Sequence, residues 1–393
     1  MFIRLTVAMA ALAAASDWPK WRGPEGTGIS GETEWKAQAL NSPKVLWKNR
    51  LGEGYSCVSV VAKRLYTMGN QGGNDIVYCM DAETGKEIWR HAYRCPPGGK
   101  GYKGPRATPV VDGDLVFTLS QEGQAFCLEA ATGKVKWQKD LLKEFKVGNV
   151  NWGMSGSALV VGETVYYNAG ASGLALKKAT GEKVWAGGGG EGGYATPVHF
   201  MHEGKALLAL FSYADLILVD AATGRKVGSY PWQTEFNVNA ADPIYCDGKL
   251  FITSGYEKGA AMLDLAGGSV KPAWETREMR GHFSTPIYLD GHLYGVDGQT
   301  GQGQLRCVDA KTGKIKWTNR GRQENLTAAG GKLIVIDEKG AVTVVEANPA
   351  AYKALAQGTV LAGRAKNWTA PVLANSLLYC RNSEGDLVCV DLR

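Results

Sequence analysis

No Cys-Cys pair, no Cys-x-x-Cys, no His-Glu-x-x-His and no Gly-x-Ser-x-Gly occurs anywhere in this chain. The absences remove a dithiol redox centre, a zinc-protease helix and a hydrolase nucleophile elbow from the candidates. Histidine is scarce, with five in 393 residues, and only His199 and His202 lie close together, without a third ligand near in sequence to make a zinc site. Beyond the N-terminus no run approaches the roughly 20 apolar residues of a membrane-spanning helix. Neither sign of charge dominates: 44 Lys and Arg stand against 38 Asp and Glu, and a formal net charge of +6 is too mild to point to nucleic acid.

What is present begins with an apolar leader. Residues 1–15 hold one positive residue, Arg4, then an Ala/Leu/Val/Met run ending in Ala13, Ala14 and Ala15, the pattern of a cleaved signal peptide. No Cys follows it, so a lipid anchor is not expected, and the mature chain is expected to be periplasmic or secreted. Residues 16–42 read as an N-terminal extension and 43–393 as the repeat region.

That region repeats one phrase. Asp81-Ala-Glu-Thr84-Gly85-Lys86-Glu-Ile-Trp89, Glu129-Ala-Ala-Thr132-Gly133-Lys134-Val-Lys-Trp137, Lys177-Lys-Ala-Thr180-Gly181-Glu182-Lys-Val-Trp185 and Asp309-Ala-Lys-Thr312-Gly313-Lys314-Ile-Lys-Trp317 are its clearest copies. Weaker copies begin at Asp220, Asp264, Glu346 and Asp391, and the mean step is about 44 residues, the length of a four-stranded propeller blade. Within one copy the period is two, and Asp-Gly pairs such as Asp112-Gly113, Asp247-Gly248 and Asp290-Gly291 supply the hairpin turns. The fold expected is all-β: an eight-bladed β-propeller of four-stranded antiparallel blades. Its last copy stops at Arg393 before an outer strand, and Pro43-Lys-Val-Leu-Trp47 supplies one, so the N- and C-terminal strands should share a blade and close the ring.

Each Trp ends an outer strand, where packing between neighbouring blades is its expected use. In blade seven Asn348-Pro349 predicts a short helix ahead of Thr359-Val-Leu361. Of the 8 cysteines, Cys79, Cys127, Cys307 and Cys389 fill one strand slot in four blades and read as small core residues. Cys95, in a Pro-Gly loop, reads as the one most free to react.

Chain direction separates the two faces of such a ring. The tight Asp-Gly and Thr-Gly turns make one face bland. The long inter-blade loops make the other, and their last residues should crowd the channel mouth. Aligned on the Thr-Pro step, they bring Tyr55, Arg106, Trp152, Ser155, Tyr194, Asn237, Asn239, Asp242, His282, Asn325 and Trp368 to that mouth. Aromatics and amides converging there suit a polar, flat or sugar-like ligand; the same groups would also cap strand ends and hold channel water. Lys100, Lys103, Arg106, Arg277, Arg280, Arg320, Arg322, Arg364 and Lys366 outnumber the acidic loop residues, which favours an anionic ligand or partner surface.

The Asp-x-x-Thr-Gly-Lys-x-x-Trp phrase resembles the blade motif of pyrroloquinoline-quinone-like (PQQ-like) propeller repeats, over about residues 43–393. The opening Asp17-Trp-Pro-Lys-Trp-Arg22-Gly-Pro resembles that of secreted bacterial members. The family contains quinone-dependent alcohol dehydrogenases and non-catalytic, BamB-like scaffolds. The resemblance implies an extracytoplasmic binding or scaffolding propeller without a cofactor, engaging a small polar or anionic ligand or a protein partner of an envelope complex. The alternative it leaves is a PQQ- and Ca²⁺-dependent alcohol or sugar dehydrogenase with a reduced site, using Asp242 as base.

Overall fold

The computed structural model describes residues 17–98, 101–267 and 269–393; the expected leader and Lys100 lie outside these ranges. Among the described residues, regular structure other than strand amounts to a 3-10 turn at Ala37–Asn41 and a short helix at Leu141–Phe145. The strands form six four-stranded antiparallel sheets and one of eight strands. In the larger sheet the long strand Ile315–Ala329 serves two four-stranded halves. Its first part pairs with Gly303–Asp309 and its last part with Lys332–Asp337, changing partner near Gln323. Arg320 and Arg322, read from sequence as loop residues, therefore lie in extended strand.

These sheets make a β-propeller, and its core lies between sheets. Most hydrophobic clusters take one face from each of two successive four-stranded units, as where Tyr66, Cys79 and Trp89 meet Val116, Phe126 and Leu128. One such cluster joins Trp47, Tyr379 and Cys389 to Val60, Tyr78 and Met80, linking the last sheet to the first. Lys44–Arg50 pairs antiparallel with Asp386–Asp391, placing Trp47 opposite Cys389.

The tryptophans assigned to packing do pack, by one repeated device. A register irregularity in the outer strand, such as that between Val135 and Trp137, re-aims the indole toward the next sheet. There its Nε1–H donates to a turn carbonyl: Trp89 to Ala130 at 3.0 Å, Trp137 to Lys178 at 2.9 Å, Trp185 to Ala221 at 3.0 Å. The ring lies on the turn glycine, so a Cβ on Gly133 would sit 2.5 Å from Trp89. Trp47 and Trp274 do the same toward Ala82 and Ala310, and Trp317 reaches Asn348. Trp274 escaped the sequence reading because its hairpin runs on past Asp264, pairing Leu265 with Val270 and Ala266 with Ser269, in place of the Asp-x-x-Thr-Gly turn.

Three expectations are corrected. Residues 348–353 form no helix: Asn348 closes a turn by accepting from the Ala350 N–H, and the outer strand Ala354–Thr359 starts at once. Cys95 is fully buried, and burial together with Asp75 pushes its thiol up to about 12, so it is not the reactive cysteine; all eight are buried and unpaired.

The face expected to be bland is the third. Residues 17–41 cross the channel end that lies beside the Asp-Gly turns. Trp18 bridges Val60, Pro19 accepts from Val111, and Arg22 donates to the carbonyls of Thr285 and Pro286. Ile29–Ser30 then pairs with Ala328–Ala329, and Glu32 accepts from Ser376. The N-terminal segment is thus a strap that closes one end of the channel.

Candidate functional site

The inner strands are stitched to one another by side chains in a single slot of the repeat. The Cys57 N–H donates to Thr108 Oγ1, Thr108 N–H to Ser157 Oγ, Ser157 N–H to Thr196 Oγ1, Thr196 N–H to Asp242 Oδ1 and Asp242 N–H to Thr285 Oγ1. Four of these acceptors are hydroxyls, which neutralise an inner N–H without bringing charge. Asp242 is the exception. Its second oxygen accepts from the Trp21 indole of the strap at 2.7 Å. Burial pushes its carboxyl up to about 6 against the pull of Arg22 below, whose own N–H groups are spent on carbonyls.

Above this floor opens a cavity of about 210 Å³. Trp21 and Asp242 form its base, and Tyr55, Arg106, Trp152, Ser155, Tyr194, His282, Asn325 and Trp368 are in its wall. Nine of the eleven mouth residues expected from sequence are therefore brought together. Asn237 and Asn239 are not. Asn239 is fully buried, its amide donating to the carbonyls of Ser212 and Trp232 and accepting from Ser254. Asn237 occupies a left-handed turn and accepts from Gln233. Both tie loops down, because an inter-blade loop must satisfy its own backbone before it can face a ligand.

The structure adds Tyr102, Tyr256, Phe283 and Trp21 to the lining. The first three complete an aromatic collar. Trp368 stacks on Tyr55 and Tyr102, with centroids 5.2 and 5.6 Å away, and meets Phe283 at 5.1 Å. Phe283 stacks on His282 at 3.7 Å, His282 meets Tyr256 edge-on, and Phe236 and Trp152 carry the chain of rings to Tyr194. Aromatic spacing in the loops was a signal available in sequence for all but Trp21, which arrives from the far end of the molecule.

Much of the basic excess in these loops is neutralised. Arg280 pairs with Asp297 and Glu257, Arg322 with Glu338, and Lys103 with Glu53. Arg106 differs: it makes no ion pair among the described residues, and donates to Gln121 Oε1 and to the carbonyls of Tyr102 and Gly104. Burial holds its guanidinium below the usual arginine range. Lys366 sits over the rings of Tyr102 and Trp368, at 4.2 and 4.6 Å.

The site does not fit a calcium-bound quinone. Both Asp242 oxygens already accept hydrogen bonds, and the Arg22 guanidinium already acts on that carboxylate. A flat tricarboxylate would also need several cations, and among the described residues Arg106 is the one Lys or Arg in the cavity lining.

The fold and site define a propeller of PQQ-like repeats with one end closed by a strap and the other walled by aromatics. The model of the family described as outer membrane protein assembly factor BamB matches residues 73–319 and 298–393, and the chain belongs to that family. The chain is 26% identical over 269 residues to the outer membrane protein assembly factor BamB of Shewanella oneidensis, covering 61% of this chain and 64% of that relative, just under two thirds of its length. BamB of Moraxella catarrhalis superposes with a TM-score of 0.63 at 16% identity, over 89% of this chain and 98% of that one. The quinohemoprotein alcohol dehydrogenase of Comamonas testosteroni gives 0.73 at 14% identity, over 95% and 80%. The two superpositions are similarities of fold.

Proposed function

We propose that this chain is an eight-bladed ring, closed by its first and last strands, that acts after export to the periplasm as a non-catalytic scaffold. It holds a protein partner of envelope assembly on the inter-blade-loop face. The observation that carries this reading is the asymmetry of the two channel ends. The strap spends the hydrogen-bonding groups of one end on the chain itself, while the other presents an open cavity, a collar of rings and an uncompensated Arg106. Buried aromatics beside arginine are what binding hot spots are made of. Membership of the assembly-factor family supports a protein as partner, and the shape of Asp242's surroundings speaks against the dehydrogenase alternative.

Photo-crosslinking in the native envelope tests this. A crosslinking residue placed at Phe236, exposed on the loop face, is expected to capture a discrete partner, and one placed at Ile88, exposed on an outer strand, to capture none. Capture from Ile88 but not from Phe236 would reverse the assignment.

A further inference from the structure

The cavity's free polar groups are few, and that narrows what it takes. The hydroxyls of Thr108, Ser157 and Thr196 already accept from neighbouring backbone, both Asp242 oxygens are used, and Asn325 is tied to Ser284, Leu326 and Trp368. Ser155 donates to Gly153, and the Tyr194 hydroxyl accepts from the Trp152 backbone. Most of the wall is ring face, which suits a flat apolar group better than a sugar ring with a hydroxyl on most of its carbons, since burying a hydroxyl against a ring face without a partner costs free energy.

Among the lining residues, Arg106 is the cation with donors to spare. His282 is in the cavity wall, but Tyr256 and Phe283 pack on its ring and both ring nitrogens are buried away from the cavity. Arg106 keeps N–H capacity beyond its three carbonyl-type acceptors, and a guanidinium has five such groups. Its nearest acids, Asp75 and Glu122, act on it only through space. Arg106 enters from the second repeat and His282 from the sixth, with the collar of rings between them.

Size narrows the choice further. A cavity of roughly 150 Å³ lined by apolar groups takes benzene, and about 210 Å³ leaves room for one ring and a short substituent. The floor carries the Asp242 carboxylate and the Trp21 face, so an anion is kept from the base and drawn to Arg106.

We propose that the cavity binds a single aromatic ring bearing a carboxylate, the acid on Arg106 and the ring between Trp368 and Trp152. This deepens the scaffold reading and rests on it: the same chemistry is offered by a small aromatic acid or by the C-terminal aromatic residue of a polypeptide.

Calorimetry on the mature full-length chain distinguishes these. With 3-phenylpropanoate as probe, binding is expected at pH 7, and its primary amide should bind about tenfold more weakly or worse, since a charge-assisted hydrogen bond is lost. Glucuronate should not compete. Arg106→Lys should weaken phenylpropanoate by about tenfold, because an ammonium lacks the fork that matches a carboxylate. A peptide ending in a free phenylalanine carboxylate that competes, where its C-terminal amide does not, identifies a chain end as the source; competition by small acids alone identifies a free metabolite. Equal binding of acid and amide, preference for glucuronate, or no binding of the acid would overturn the proposal, and the wild-type comparison needs no variant to fold. Retention of the Phe236 crosslink in that case would leave the scaffold reading standing and remove only the ligand class.

Discussion

Asp242 shows how one residue departs from its repeat for a reason outside the repeat. At its slot the neighbouring copies carry Thr108, Ser157, Thr196 and Thr285, and a hydroxyl suffices to accept the inner N–H. The strap brings a second donor, the Trp21 indole, and a carboxylate accepts both. The charge has a cost that depends on pH. The folded chain holds the Asp242 proton up to about pH 6, whereas the unfolded chain releases it near 3.8. Stability therefore falls as pH rises through that window, by something on the order of 2–3 kcal/mol, and the loss is complete above it. Asp242→Asn carries no such charge. Urea unfolding of both proteins should show the variant gaining on wild type by that amount as pH rises from about 4 to about 6.5; a constant difference would show that Asp242 is charged throughout. Asp242 itself was legible as a mouth residue from the Ala-Asp-Pro step. Its partner was not, because nothing local to residues 17–22 says which repeat they will reach.

At the scale of the element, the unit that builds the molecule is an outer strand with one irregular step, an indole, and the glycine turn of the next sheet. Sequence shows this unit wherever the turn has its standard length, since Asp-x-x-Thr-Gly is local chemistry: Asp81, Asp220 and Asp309 each accept from the Thr backbone and hydroxyl three residues on. Where the strands lengthen past Asp264 before Trp274, or the chain runs on without turning at Ile315–Ala329, the phrase blurs and tertiary pairing decides. The helix expected at Asn348 failed for the same reason: its capping residues are equally good turn residues, and the short link leaves no room for a helix. The unit is open to a double-mutant cycle. Trp185→Phe should lose the bond to Ala221, about 1 kcal/mol. Gly224→Ala should cost about 2 kcal/mol, because its Cβ would lie 2.5 Å from the Trp185 ring at a φ of 72°. In a Trp185→Ala background that second cost should fall to about 1 kcal/mol, the backbone part alone. Additive losses by chemical denaturation would mean that the ring and the turn do not touch.

For the whole molecule, periodicity made the architecture readable and the strap made it asymmetric. The loops that share a mouth could be named in advance because repeats place equivalent residues at equivalent heights, which is why nine scattered positions from Tyr55 to Trp368 line one cavity. The closed end was hidden, since a segment outside the repeat obeys no period. All of this depends on the ring being shut by strands from opposite ends of the chain. Lys44 and Asp391 are directly opposed across that junction, at a separation that a disulfide spans in antiparallel sheets. In a Lys44→Cys, Asp391→Cys double variant, mild oxidation should give a reducible cross-link within single molecules, read as a mobility shift on a denaturing gel, and should raise the melting temperature above that of the reduced protein. Cross-links that form only between molecules, or none, would contradict closure and with it the assignment of these loops to one working face.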